Sequence, residues 1–190
     1  MAASDGIIEI PPLEIIYQDV FNLKMLYRAM HLWLDEEEFW DDNQGHNYIE
    51  VLYLEMRREL REYRVWWRTR KNILSSKYYR FLLEVDFQVL NCSDVEVMYK
   101  GQKVKGQSAE LTLRFRGKLE TDFNKKLREH WLASLLARPM RRFVMYREIE
   151  ARRLELYRYV YAFHDYCKRY LELKSFLPGI ETFHEQFDEI

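Results

Sequence analysis

The clearest pattern along the chain is a period of two. In residues 79–90, Tyr79, Phe81, Leu83, Val85, Phe87 and Val89 take one parity, while Arg80, Glu84, Asp86 and Gln88 take the other. In residues 109–120, Ala109, Leu111, Leu113, Phe115 and Leu119 alternate with Glu110, Thr112, Arg114, Arg116, Lys118 and Glu120. A helix would scatter both sets round its circumference, whereas a strand sends one set into a core and the other into water. Weaker alternation in residues 62–70 and 95–100 predicts two further strands. Turn-forming residues separate them at 72–76, 91–94 and 100–102. Short connections make neighbouring strands antiparallel, and such a sheet can keep one face wet. The expectation is an antiparallel meander of four to six strands whose apolar face needs a cover.

The segments on either side supply that cover. Residues 14–21 predict a short edge strand with Ile15, Tyr17 and Phe21 inward. Asn22 suits an N-cap. After it, Leu23, Leu26, Tyr27, Met30, Trp33 and Leu34 recur on one helical face, to about Phe39. Residues 48–56 are apolar at most positions. They fit a strand buried on both faces or the start of a helix, and their length and composition favour the strand. Residues 57–61 then make a turn or bulge. Asp122 can cap a helix over 123–137, and Pro139 ends it or begins the next. From 140 to 174 nothing interrupts a helical pattern in which Ile149, Leu156, Val160, Phe163 and Cys167 share a face. That helix would run for about nine turns. Residues 1–10 are expected to be disordered, 11–174 to form a single α+β domain, and 175–190 to be an acidic tail. The order of strand, helix, several antiparallel strands and long C-terminal helix resembles the helix-grip arrangement of the START and polyketide-cyclase proteins, in which a curved sheet wraps a long helix. The resemblance is one of topology, and it implies a ligand cavity between sheet and helix.

Composition agrees with a packed domain. Of 190 residues, 48% are hydrophobic and 16% aromatic, enough for a core rich in large rings. No apolar run reaches the roughly 18 residues a membrane span needs, and no signal peptide is visible. Two cysteines, Cys92 and Cys167, make no disulfide framework and read as buried free thiols. A cytoplasmic location is expected.

Charge changes the picture more. Residues 1–56 carry 2 basic and 12 acidic side chains, residues 57–121 carry 15 and 8, residues 122–174 carry 13 and 7, and the tail carries only 4 acids. A basic middle between acidic ends points to an acidic partner. On the second predicted strand, Arg64, Trp66, Arg68 and Arg70 share the polar side, and Arg114, Arg116 and Lys118 do so on the last. Guanidinium groups grip phosphate and carboxylate, and rings stack on exposed bases. The competing reading is cross-strand pairing with Glu84, Asp86, Glu96 and Glu110. Against a dedicated nucleic-acid domain stands a pI of about 6.5.

No catalytic, cofactor or metal motif is present. The acids of residues 35–42 lack the alternating ligands and central glycine of a calcium loop and read as a solvated acidic loop. The five histidines show no zinc spacing. His164 and Cys167 lie one helical turn apart, a weak signal for a reactive pair. The sequence therefore predicts a non-enzymatic intracellular binding protein that engages RNA, a ribonucleoprotein or an acidic protein through a basic, aromatic-bearing sheet face. Two alternatives stay open. One is a small-molecule or lipid carrier whose cavity is lined by Tyr79, Phe81, Leu83, Leu111, Leu113, Phe115, Val160 and Phe163. The other is a structural subunit, a homo-oligomer dimerising through the long helix.

Overall fold

The computed structural model describes residues 6–40, 49–57, 59–73, 76, 78–99, 102–121 and 146–176. In chain order these form β1 (Ile7–Glu9), β2 (Leu13–Phe21), α1 (Leu23–Glu36), β3 (Glu50–Arg57), β4 (Arg61–Asn72), β5 (Tyr79–Tyr99), β6 (Gln102–Thr121) and α2 (Tyr146–Phe176). The strands make one sheet in the order β1-β6-β5-β4-β3, with β2 also on β6, and every described pairing is antiparallel. The fold is the expected α+β arrangement. The helix expected over 123–137, residues 140–145, residues 41–48 and the tail beyond 176 lie outside the described residues.

Alternation decides which side of the sheet is covered. Val65, Trp67 and Thr69 of β4 are buried, as are Tyr79 to Val89 at odd positions of β5 and Ala109 to Leu119 at odd positions of β6. Both helices pack on this side. Asn22 caps α1, its Oδ1 accepting from the Met25 N–H at 3.1 Å. Trp33 of α1 stacks on Phe163 of α2 with centroids 4.6 Å apart, and Phe163 meets Phe115 of β6 edge-on at 5.4 Å. One aromatic cluster thus ties both helices to the sheet. Burying each such ring contributes on the order of 1.5–3 kcal/mol. The polar Thr69 is satisfied there by donating to the Leu83 carbonyl at 2.9 Å.

Two strands are longer than their patterns predict. β5 runs 21 residues and β6 runs 20. The turn expected at 91–94 is a β-bulge within β5: the register against β6 shifts between Leu90 and Ser93, and Asn91 has φ 54°. One extra residue swaps the faces of the pleat. Val89 and Cys92, of opposite parity, are therefore both buried.

The two edges of the sheet differ from expectation as well. Ile7–Glu9, within the segment expected to be disordered, pairs with β6 as β1. Pro11 and Pro12 interrupt this edge because they have no N–H to donate. Between β1 and β2, Ile10 N–H donates to the Gly117 carbonyl at 3.0 Å. A Cβ on Gly117 would lie 2.7 Å from Ile10 Cδ1 and 2.9 Å from Val160 Cγ2, so glycine is what lets α2 approach β6 there. At the opposite edge is β3. It was expected to be buried on both faces, yet Val51 and Tyr53 are more than half exposed. An apolar run shows that a strand suits a sheet; it does not show that another layer covers both of its faces.

Candidate functional site

The face of the sheet away from the helices carries all seven predicted site residues, because they sit on the parity opposite the core. Their surroundings divide that face into two halves.

Across β2, β6, β5 and part of β4, cations meet carboxylates on neighbouring strands. Arg68 lies 2.8 Å from Asp86. Arg116 pairs with Asp86 and reaches Glu84 at 3.3 Å. Lys118 holds Glu84 at 2.7 Å and Glu9 at 3.6 Å. Arg114 bonds Glu14 at 2.8 Å, and Arg80 bonds Glu120 at 2.7 Å. Cross-strand pairs of this kind contribute about 0.2–1 kcal/mol each. Four of the seven predicted residues, Arg68, Arg114, Arg116 and Lys118, are therefore engaged within the sheet.

The half built by β3 and β4 is different. Arg64 is exposed and stands in register with Leu54 and Gln88, neither of which can neutralise it. Among the described residues it forms no ion pair. Trp66 is 43% exposed, opposite Leu52 of β3. The Arg68 guanidinium lies over its ring at 5.7 Å, within cation–π range. Leu54 is exposed beside them. Arg70 is placed by its backbone, which exchanges hydrogen bonds of 2.8 and 2.9 Å with Trp40.

A groove of about 610 Å³ opens on the other side of the same two strands, beneath α1. Sequence reasoning missed it. Tyr27 of α1 donates to the Glu50 carboxylate of β3, and Trp67 Nε1–H donates to the Tyr27 oxygen at 3.3 Å. Tyr27 also meets the Trp67 ring edge-on at 4.8 Å. Tyr53 and Tyr63 complete the aromatic lining, and Tyr63 donates to Glu55 at 3.4 Å. Burial, then the hydrogen bond to Glu50, pushes the Tyr27 phenol up. Burial, then the charges of Glu55 and Glu50, does the same to Tyr53, and burial raises Tyr63. All three rings stay neutral through the ordinary pH range. The one legible signal was Glu50, an acid at the head of an otherwise apolar run, Val51 to Leu54.

The helix-grip resemblance implied a cavity between sheet and long helix lined by eight side chains. The eight side chains named for its lining are each 1% exposed or less and belong to the core, with Phe115 and Phe163 in direct contact. Among the described residues, Phe115 and Phe163 meet between the sheet and α2. Cys167 also faces that core, and burial pushes its thiol well above the usual range, the reverse of what a nucleophile needs. Cys92 is buried and raised for the same reason. Among the described residues no three His, Cys, Asp or Glu side chains converge to hold a metal, and no helix is long and apolar enough to cross a membrane.

No protein-family model matches the chain, and no curated protein matches its sequence.

Proposed function

We propose that this chain is a non-enzymatic binding protein that docks an acidic protein segment on the β3/β4 half of its open sheet face. Trp66 is the apolar anchor and Arg64 the charge contact. The observation that carries this reading is Arg64: on a face where neighbouring cations have carboxylates across the strand, it has none, and it stands beside an exposed indole. Leaving Trp66 and Leu54 in water adds nothing to the fold, whereas a buried Trp flanked by Arg is the usual centre of an interface.

The geometry favours an acidic polypeptide over RNA. A single strand of RNA needs a track of available cations and several stacking rings. Here Arg68, Arg114, Arg116 and Lys118 are engaged by Asp86, Glu14 and Glu84.

The test uses the intact chain, a labelled peptide alternating Glu with Leu and Phe, and a labelled oligouridylate of similar length. Fluorescence anisotropy at low salt should show the peptide binding. Arg64→Glu combined with Trp66→Ser should weaken it by about 100-fold or more, roughly 2.7 kcal/mol. These two positions are the cleaner choice, since reversing Arg68 would also break its pair with Asp86. Tighter binding of the oligouridylate, with affinity falling steeply in salt, would move the assignment to RNA. Equal peptide affinity in the double variant would remove the site.

A further inference from the structure

We infer that the groove beneath α1 is a second binding site, independent of the open face, and that it takes a small organic cation with an apolar body. Its size comes first: about 610 Å³ lies within the roughly 300–1,000 Å³ of small-molecule sites. Val65 and Phe87 supply apolar wall, and Tyr27, Tyr53 and Tyr63 supply three aromatic rings. The negative face of such rings attracts a cation, most of all when water is excluded.

Glu50 decides the sign of the ligand. Its carboxylate is half-buried and accepts from Tyr27, and among the described residues it forms no ion pair. Lys24 and Arg28 also border the groove. They are exposed on α1, and neither pairs with Glu50. Water and salt screen exposed charges over about 8–10 Å, whereas a partly desolvated carboxylate keeps most of its field. A half-buried acid without a counter-ion is costly, and an arriving cation removes that cost.

The site is also held in place. Tyr27 is fixed by donating to Glu50, by accepting from Trp67 and by edge contact with the Trp67 ring. Trp67 is fully buried in β4. The carboxylate is thus oriented before any ligand arrives, which lowers the entropy lost on binding. Tyr53 is more than half exposed on the edge strand and forms the outer wall.

The experiment is isothermal titration of the intact chain with three probes that share a phenyl body: benzyltrimethylammonium, benzyl alcohol and phenylacetate. The cation should bind with a Kd near or below about 1 mM, and at least about tenfold tighter than the alcohol. Glu50→Gln keeps an oxygen to accept from Tyr27 and should erase that preference without lowering the melting temperature. Tyr53→Ala, at an exposed position, should weaken the cation several-fold and leaves the Glu50–Tyr27–Trp67 chain intact if Glu50→Gln fails to fold. Phenylacetate binding tighter than the cation, equal affinity for all three probes, or no saturation by the cation below about 10 mM would each overturn the assignment.

Discussion

The two faces of this sheet are made by alternate residues of the same strands, yet they are held by different forces. On the covered face Leu83, Leu111 and Phe115 have no measurable exposure and pack against α1 and α2. On the open face Glu84, Asp86, Arg116 and Lys118 form a lattice of partly buried ion pairs. A large apolar side chain removed from water contributes on the order of 1.5–3 kcal/mol, while an exposed pair contributes about 0–1 kcal/mol. Stability therefore sits mainly on one face.

The comparison can be pressed hardest at Phe163. Replacing it with Ala empties the contact between Trp33 and Phe115 and should cost about 3–5 kcal/mol in urea denaturation. Loss of less than about 1 kcal/mol would show that the helices do not hold the covered face. Next is Gly117→Val, which pushes a side chain into Ile10 and Val160. Overpacking there should cost about 1–3 kcal/mol and lower the melting temperature. Arg116→Ala on the open face should cost less than about 1 kcal/mol, with the difference shrinking further in 1 M salt. A cost matching that of Gly117→Val would mean the ion-pair lattice carries the fold. Arg64→Glu with Trp66→Ser should leave stability within about 0.5 kcal/mol of the parent, because neither side chain supports the core.

The smallest effect is none at all at neutral pH. Tyr79 on the covered face, Tyr27 of α1 and Tyr170 of α2 have phenols raised chiefly by burial, Tyr170 to about 12. A folded-state pKa above the unfolded value of 10.0 means the folded chain holds the proton more tightly. That stability is complete below pH 10 and is lost as pH climbs through the folded value. The buried thiols of Cys92 and Cys167 are raised in the same sense from an ordinary value of 9.0, so denaturant midpoints should be flat to about pH 9 and fall from there towards pH 12. A midpoint unchanged at pH 12 would show that these phenols ionise without leaving their places.

Much of this was legible in residue order. Tyr79, Phe81, Leu83, Val85 and Phe87 announce their shared face, and Asn22 announces the start of α1, because pleat and helical pitch are local geometry. The bulge in β5 was not legible, since Asn91 to Asp94 suit a turn and a bulge equally well. The edge position of β3 was not legible either, because being apolar does not specify a neighbour. The candidate site was read as seven residues where the structure leaves Arg64 and Trp66 available. The groove was invisible: Tyr27 and Glu50 are separated by 23 positions and meet only when α1 lies across β3 and β4.

What the sequence determined by itself was the alternation, and with it the sheet, its covered face and the set of residues sent to the other side. Which of those cations meets a carboxylate was decided only by tertiary structure. Arg114 finds Glu14 a hundred positions away, across a pairing that depends on β2 lying in register beside β6. A side chain's direction is set by its own strand, but its partner is set by a neighbouring strand that the chain brings alongside only on folding.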